Sequence, residues 1–181
     1  LTEKFFGVFS YTLYWSEFSG VDQKLKPASW DNRHLISATA GYKLPRNWEL
    51  GIKFRYQGAA PYTPYNLEQS RLNFLTLGSG VFDYDQVNTL RLKAFHSGDL
   101  RLDKKWNYKK TTFDFYIDIQ NFYASKSTGS PQYTFKRTDD NSSFLSTNGK
   151  PVQTNGSNAI PFLLENAEGT LIPTIGFIIE F

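Results

Sequence analysis

Cysteine and methionine are both missing from this chain of 181 residues, and histidine occurs only twice. Without cysteine, a disulfide framework, a thiolate metal site and a redox motif are all excluded. His34 and His96 have no neighbouring His, Cys or carboxylate at ligand spacing, and the sequence cannot place either one against a particular serine, as a Ser-His nucleophile would need. We therefore expect no catalytic residue, no metal site and no cofactor, and we predict that the protein is not an enzyme.

The chain also lacks an initiator methionine, a leader-like start and any strong clustering of charge. Leu1 is therefore not expected to be a translation start, and the chain is expected to be an excerpt or a processed product. No run of about 18 apolar residues is present, which excludes a transmembrane helix. The net charge is only +3, and basic residues are scattered among acidic ones. We expect no nucleic-acid partner.

Aromatic residues are abundant, at 17% of the chain, and there are 13 glycines and 11 tyrosines. Aromatic side chains favour sheet, and Gly, Asn and Asp mark reversals, so the sequence predicts an all-β fold. Alternation of apolar and polar residues predicts an antiparallel meander of six membrane-length strands. Their predicted bounds are about 4–18, 34–44, 48–57, 98–106, 111–123 and 171–181, with long loops at about 58–95 and 124–170.

Two short turns allow the strand register to be predicted. Across the turn at Pro45–Asn47, the apolar faces of the flanking strands match if Leu44 lies opposite Trp48, a register that also pairs Lys43 with Glu49. Across a second turn at 107–110, the same reasoning places Trp106 opposite Thr111. A lysine at position 104 interrupts the apolar face, but beside Trp106 at a strand end it is expected to extend toward an interface.

The polar face and the loops divide the chain in the way typical of outer-membrane barrels. Short turns alternate with long loops, as periplasmic turns alternate with external loops. Two aromatic girdles are predicted, an inner one of Trp48, Trp106 and Tyr42 and an outer one of Trp15, Tyr56 and Tyr123. The apolar face would meet lipid, and the charged face would line a lumen through Lys53, Arg55, Arg101, Asp103, Lys105, Asp114 and Asp118.

Six strands are too few to enclose such a lumen, because small barrels begin at about eight strands. Open edges in lipid would also leave backbone groups unpaired, each at a cost of several kcal/mol. The rest of the wall is therefore expected to come from preceding sequence or from other chains. The alternative is a soluble secreted β-sandwich that acts as a binding module, in which the polar face is simply solvated.

The last strand carries the most specific pattern. Phe181, Ile179, Phe177 and Ile175 share one face, and this ending resembles the assembly signal of outer-membrane barrels. Three stretches resemble the C-terminal end of TonB-dependent outer-membrane receptors, notably the branch common in Bacteroidota: DNRHLISATAGYKLPRNWELGIKFRYQGAAPYTP from Asp31, DLRLDKKWNYKKTTFDFYIDIQNFY from Asp99 and PFLLENAEGTLIPTIGFIIEF from Pro161.

The resemblance implies the last six strands of a 22-stranded barrel in the bacterial outer membrane, closed around an N-terminal plug. It implies active import of a scarce ligand (an iron chelate, a cofactor, a glycan or a peptide), energised through TonB. The implied partners are the plug and preceding strands, TonB, the barrel assembly machinery, membrane lipid and a surface lipoprotein. The alternative function is a structural wall subunit that scaffolds an outer-membrane complex without transport.

Ligand contacts are predicted in the first long loop, which is rich in aromatic residues. These rings could stack on a sugar or a chelate ring, or they could bury against the rest of the receptor. The candidate ligand-binding residues are Tyr62, Tyr65, Phe74, Phe82 and Tyr84.

Overall fold

The computed structural model describes residues 3–181, so the expectation about Leu1 lies outside the described residues. Six long strands form one antiparallel sheet in chain order, and each described strand pairs with the next. The prediction of an all-β antiparallel fold is confirmed. The sheet is open, because β1 and β6 each have only one neighbouring strand in the described part of the chain. The strands are β1 (Phe5–Leu13), β2 (His34–Leu44), β3 (Trp48–Gln57), β4 (Phe95–Asn107), β5 (Thr112–Gln120) and β6 (Ile172–Glu180).

The observed strand ends differ from the predicted ones by more than one residue at three strands. The first strand was expected to run to residue 18 but ends at Leu13, and Glu17–Ser19 instead pairs with Leu25–Pro27 as a separate ribbon. The strand β4 begins three residues earlier than predicted. The strand β5 ends at Gln120 rather than at 123, because Asn121 has φ 51° and cannot continue an extended strand. The strands β2 and β3 have the predicted bounds.

The predicted register is confirmed in one hairpin and is wrong in the other. Lys43 lies opposite Glu49 between β2 and β3, as predicted. Between β4 and β5, however, Trp106 lies opposite Phe113 rather than Thr111. The backbone N–H of Tyr108 donates to the carbonyl of Thr111 at 2.8 Å, so the hairpin closes around a tight two-residue loop. The shift is two residues, which leaves every side chain on its predicted face.

The sheet has one apolar face and one charged face. The register aligns Ala40, Ile52 and Leu100 across three strands of the apolar face. Apolar side chains on this face are open to the surroundings: Ile52 is 46% exposed and Phe177 is 65% exposed. The predicted lumen residues lie together on the opposite face, where Asp103 and Asp114 are buried. The apolar face is thus the more open of the two.

Ion pairs and one aromatic ring cover the charged face. Arg101 donates to both carboxylate oxygens of Asp103 at 2.7 to 3.0 Å, and its guanidinium lies 4.1 Å from the ring centre of Tyr116. That ring lies over Gly176 so closely that a Cβ there would come within 2.4 Å of the tyrosine hydroxyl. A larger residue at position 176 would displace the ring. Two further pairs join Arg55 to Asp99 at 3.1 Å and Lys105 to Asp114 at 3.7 Å.

Both short turns lie at one end of the sheet and three long loops lie at the other. We call the long loops, residues 14–33, 58–94 and 121–171, the loop layer. They contain one helix, α1 (Leu67–Leu77), and a one-turn helix at Tyr84–Gln86. They also contain the Glu17–Ser19 ribbon and three further short ribbons: Pro61–Tyr62 with Leu90–Arg91, Ser127–Thr128 with Ala167–Glu168, and Gln132–Phe135 with Pro161–Leu164.

The loop layer has a hydrophobic core of its own. Phe74 of α1 packs against Phe135 of the third long loop, with ring centres 4.7 Å apart, and Tyr133 and Ala159 complete the buried cluster. Sequence patterning did not predict α1, because its leucines form no buried apolar stripe: Leu67, Leu72, Leu75 and Leu77 are all exposed. In residues 3–181, no helix has the length and apolarity needed to cross a membrane.

Candidate ligand site in the loop layer

A buried carboxylate ties the first two long loops together. Asp31 is completely buried and accepts hydrogen bonds from the Ser16 amide at 3.0 Å, Arg33 at 3.2 Å and Arg91 at 2.5 Å. The Arg91 guanidinium also donates to the carbonyls of Asp31 and Ala59. We call Ser16, Asp31, Arg33 and Arg91 the Asp31 clamp. It fixes the loop layer above β1 to β3.

The Asp31 clamp gives the loop layer a defined response to acid. Burial raises the pKa of Asp31, but the hydrogen bonds from Ser16, Arg91 and Arg33 outweigh it, and the net pKa lies below the usual 3.8. A lowered pKa stabilises the folded state above the unfolded pKa, and this stabilisation is lost as the pH falls through the folded pKa.

We therefore expect the Ser16 amide to be equally protected from hydrogen exchange between about pH 8 and pH 5, and to lose protection below about pH 4. The measurement is the exchange rate of that amide, corrected for intrinsic exchange, in the intact protein. The variant Asp31→Asn should show no loss of protection in that acid range. Protection that falls between about pH 7 and pH 5 would contradict the lowered pKa.

Three local structures position the aromatic residues that the sequence singled out. Tyr62 lies in the ribbon formed with Leu90–Arg91. Phe82 follows Val81, whose backbone N–H and carbonyl both bond to the buried hydroxyl of Ser70 in α1. Tyr84 begins a one-turn helix at whose N-terminus the Asp83 carboxylate accepts from the Asp85 amide at 3.1 Å.

The structure separates the five predicted ligand-binding residues into two groups. Phe74 is buried in the core of the loop layer. Tyr65 packs against that core and stacks on Phe82, with ring centres 4.8 Å apart and planes 11° apart. Tyr62, Phe82 and Tyr84 line a common open cavity. Three of the five residues are therefore placed to contact a ligand there, and Tyr65 supports one of them from behind.

This cavity, which we call the aromatic cavity, has a volume of about 490 Å³. Its lining includes residues that the sequence analysis did not single out, because they come from all three long loops and form no local pattern. The lining comprises Ser29, Ala60, Pro61, Tyr62, Thr63, Phe82, Tyr84, Asn88, Leu92 and Ser130. No side chain in this lining carries a charge.

Asn88 holds the segments around the aromatic cavity in place. Its amide nitrogen donates to the carbonyl of Pro27 at 2.7 Å, and its backbone N–H donates to the hydroxyl of Thr63 at 3.1 Å. Nearby, the Asn32 side chain donates to the carbonyl of Gly58 at 2.9 Å. Gly58 is required for this approach, because a Cβ there would lie 2.1 Å from the Asn32 carbonyl oxygen.

A second, charged cavity adjoins the first. It has a volume of about 120 Å³ and shares Tyr62 and Leu92 with the aromatic cavity. Its lining adds Arg91, Lys93 and Glu165. Two neighbouring cavities, one with an uncharged lining and one with a charged lining, therefore lie side by side in the loop layer.

The charged face of the sheet forms a separate open cavity of about 290 Å³, lined in part by Lys53, Asp99, Arg101 and Asp118. Lys53 has no ion pair with any residue in the described part of the chain. One carboxylate oxygen of Asp114 is buried without a hydrogen-bond partner there. The ammonium of Lys53 thus remains available on this face, whereas the unpaired Asp114 oxygen is closed off from solvent.

Both histidines pair with tyrosines at the loop end of the sheet. His34 Nδ1 lies 2.9 Å from the Tyr11 hydroxyl. His96 Nδ1 lies 3.0 Å from the Tyr123 hydroxyl and 3.2 Å from the Ser125 hydroxyl, a contact that the sequence could not place. A Ser-His hydrolase needs a third group to orient the base. No described carboxylate bonds to His96, and its Nδ1 is shared between the hydroxyls of Tyr123 and Ser125.

The terminal strand carries the residues of the predicted assembly signal. Ile175, Phe177 and Ile179 lie on the apolar face of β6, next to Ile117, Phe115 and Phe113. Phe181 follows the strand and is fully exposed.

Comparisons of the chain with protein-family models, with curated proteins and with solved structures give no match.

Proposed function

We propose that this chain is the C-terminal wall and outer-loop part of a TonB-dependent transporter of the bacterial outer membrane. The observation that carries the proposal is the apolar face that runs across all six strands, exposed on the outer strands and half-exposed on β4 and β5, opposite a face that carries paired charges. Lipid-facing and lumen-facing residues alternate in this way in membrane barrels. The main strands contain 9 to 13 residues, close to the length that crosses a bilayer when tilted.

The ends of the strands support the same assignment. Lys104 lies over the rings of Trp48 and Trp106, at 5.3 and 5.5 Å from their centres, and donates to the carbonyl of Arg46 in the short turn. A cation held among tryptophans is typical of a membrane interface. At the loop end, Tyr56 and His96 are cross-strand neighbours, and His96 stacks on Tyr123.

The two open edges of the sheet indicate that further strands complete the barrel of the proposed transporter. In lipid, the free edges of β1 and β6 would leave backbone groups without hydrogen bonds. In the proposed transporter, sixteen further strands would complete a 22-stranded wall around a plug, and TonB would act on the plug-bearing part. The assembly machinery would read the β6 signal, and a surface lipoprotein would cover the loop layer.

A structural wall subunit without transport is the second candidate. It is favoured by the pairing of Arg55 with Asp99 and of Arg101 with Asp103, since paired charges need no passing ligand. A plug domain and a TonB box encoded before residue 1 would decide for transport. A soluble sandwich has less support, because it would bury the apolar face that is open in this sheet.

The orientation of the apolar face can be tested with one arginine. If Ile52 faces lipid near the middle of the bilayer, Ile52→Arg is expected to lower the free energy of unfolding by about 2 to 4 kcal/mol. In water, the same change at a site that is 46% exposed should stay within about 0.5 kcal/mol. The measurement is denaturant unfolding of the intact protein reconstituted in phospholipid vesicles.

The matched control is Thr174→Arg on the charged face of β6, where the new guanidinium lies opposite Asp118. We expect this variant to retain the stability of the unaltered protein, because a positive charge there gains a nearby acid. Equal stabilities for Ile52→Arg and the unaltered protein would overturn the proposal that this face meets lipid.

A further inference from the structure

We propose that the aromatic cavity binds a neutral saccharide, and that this saccharide is the cargo of the transporter proposed above. The inference rests on that proposed function and narrows its ligand from four classes to one. It is carried by three features of the cavity: open aromatic rings, hydroxyl groups without partners, and a lining without charge.

Two rings in the cavity present surface to a ligand. Phe82 is stacked by Tyr65 on one face and remains 42% exposed. Tyr84 stands at 63° to Phe82, with ring centres 6.4 Å apart, and is 72% exposed. The negative face of an aromatic ring attracts the weakly positive C–H groups of a pyranose ring. The two inclined rings can therefore contact two faces of a sugar.

Four hydroxyl groups of the lining remain available. Ser29, Tyr62, Tyr84 and Ser130 have no hydrogen-bond partner among residues 3–181, whereas Thr63 and Asn88 use their polar groups to hold the loops. Each free hydroxyl can donate one hydrogen bond and accept others. Sugar hydroxyls have the same dual capacity. The lining thus matches a ligand that both donates and accepts at several points.

The lack of charge discriminates against the other ligand classes. A charged iron chelate or a peptide terminus would give up hydration in this cavity without gaining an ion pair, which is unfavourable. Charged side chains are close by, since Arg91, Lys93 and Glu165 line the adjoining smaller cavity, but they are not part of this lining. A neutral ligand meets no such penalty.

The size and support of the cavity fit the same ligand. A volume of about 490 Å³ lies within the range of small-molecule sites, roughly 300 to 1,000 Å³. The hydrogen bonds of Asn88 to Pro27 and Thr63 join two of the loops that line it. A site held open before binding loses less entropy on binding.

The test is isothermal titration calorimetry on the intact, detergent-purified transporter. The probes are neutral oligosaccharides of glucose, mannose, galactose and N-acetylglucosamine, together with ferric citrate and a tripeptide as charged competitors. We expect at least one neutral oligosaccharide to bind and both charged probes to fail. Tyr84→Ala should lower the affinity for the saccharide about tenfold. Tyr84→Phe keeps the aromatic ring and should lower the affinity less.

Lys93→Gln is the matched control, because Lys93 belongs to the charged neighbouring cavity and is highly exposed. Saccharide affinity should not change in this variant. The inference is overturned if no neutral oligosaccharide binds at millimolar concentration, if only a charged probe binds, or if Tyr84→Ala binds as tightly as the unaltered protein. Tyr84-dependent saccharide binding without uptake by cells would instead overturn transport and leave the binding site standing.

Discussion

Phe135→Ala is expected to destabilise the loop layer by about 3 to 5 kcal/mol, the range for a phenylalanine removed from a packed core. Phe135 is completely buried and contacts the rings of Phe74, Phe144 and Tyr133 with centres 4.7 to 6.1 Å away. The change leaves a void where the two largest loops meet, so the loops should open while the sheet persists.

Native-state hydrogen exchange can measure this opening. The Lys136 amide donates to the carbonyl of Ile160 at 2.8 Å and reports directly on the ribbon that carries Phe135. Its exchange should accelerate by about 100-fold or more, since 1.4 kcal/mol corresponds to a factor of ten. Amides in the middle of β2 and β3 should be unaffected.

Phe162→Ala provides the control, because Phe162 lies in the partner strand of the same ribbon but is exposed. This substitution should change stability by no more than about 0.5 kcal/mol. If both phenylalanines prove equally costly to remove, the core of the loop layer is not where this structure places it.

Asp31→Ala is the second change with a large expected effect. It removes the acceptor of three hydrogen bonds and leaves the guanidiniums of Arg33 and Arg91 without their carboxylate. Breaking a buried ion pair costs several kcal/mol. We expect about 3 kcal/mol, the lower end of the range for such pairs, because both arginines are partly solvated. The expected result is a detached first loop.

Trypsin can detect this detachment, since it cleaves after arginine. In Asp31→Ala, cleavage after Arg33 and Arg91 should be much faster than in the unaltered protein. Asp22→Ala is the control, because Asp22 belongs to the same loop and pairs with Lys26 at 2.9 Å in an exposed position. Removing an exposed ion pair has little effect on stability, because solvent already screens its charges. Faster cleavage in Asp22→Ala than in Asp31→Ala would contradict the role of the Asp31 clamp.

The strands were predictable because strand faces depend on a local property. Successive side chains point to opposite faces, so alternation between Trp48 and Gln57 gave both the strand and its two sides. The tight turn at Pro45–Asn47 then fixed the pairing of Lys43 with Glu49, which the structure confirms. The β4–β5 register was missed by two residues because the sequence alone did not show how tightly the second turn closes.

The candidate site was only partly predictable. Aromatic enrichment pointed to Tyr62, Phe82 and Tyr84, which do line one cavity. It pointed equally to Phe74, which is buried in the hydrophobic core of the loop layer. Nothing in the sequence distinguished these cases, because both are single rings in a loop without periodic pattern. Ser29, Asn88 and Ser130 join the site from loops far apart along the chain, so no spacing could identify them.

By itself, then, the sequence determined the six strands, their two faces and the grouping of the charges, since each follows from a period of two along a short segment. Only the tertiary structure decided how the loops are ordered. Asp31 meets Arg91 and Phe74 meets Phe135 across about 60 residues of chain. Such contacts depend on where the paired strands place the two ends of each loop. That placement follows from the tertiary structure and is not encoded in any local pattern.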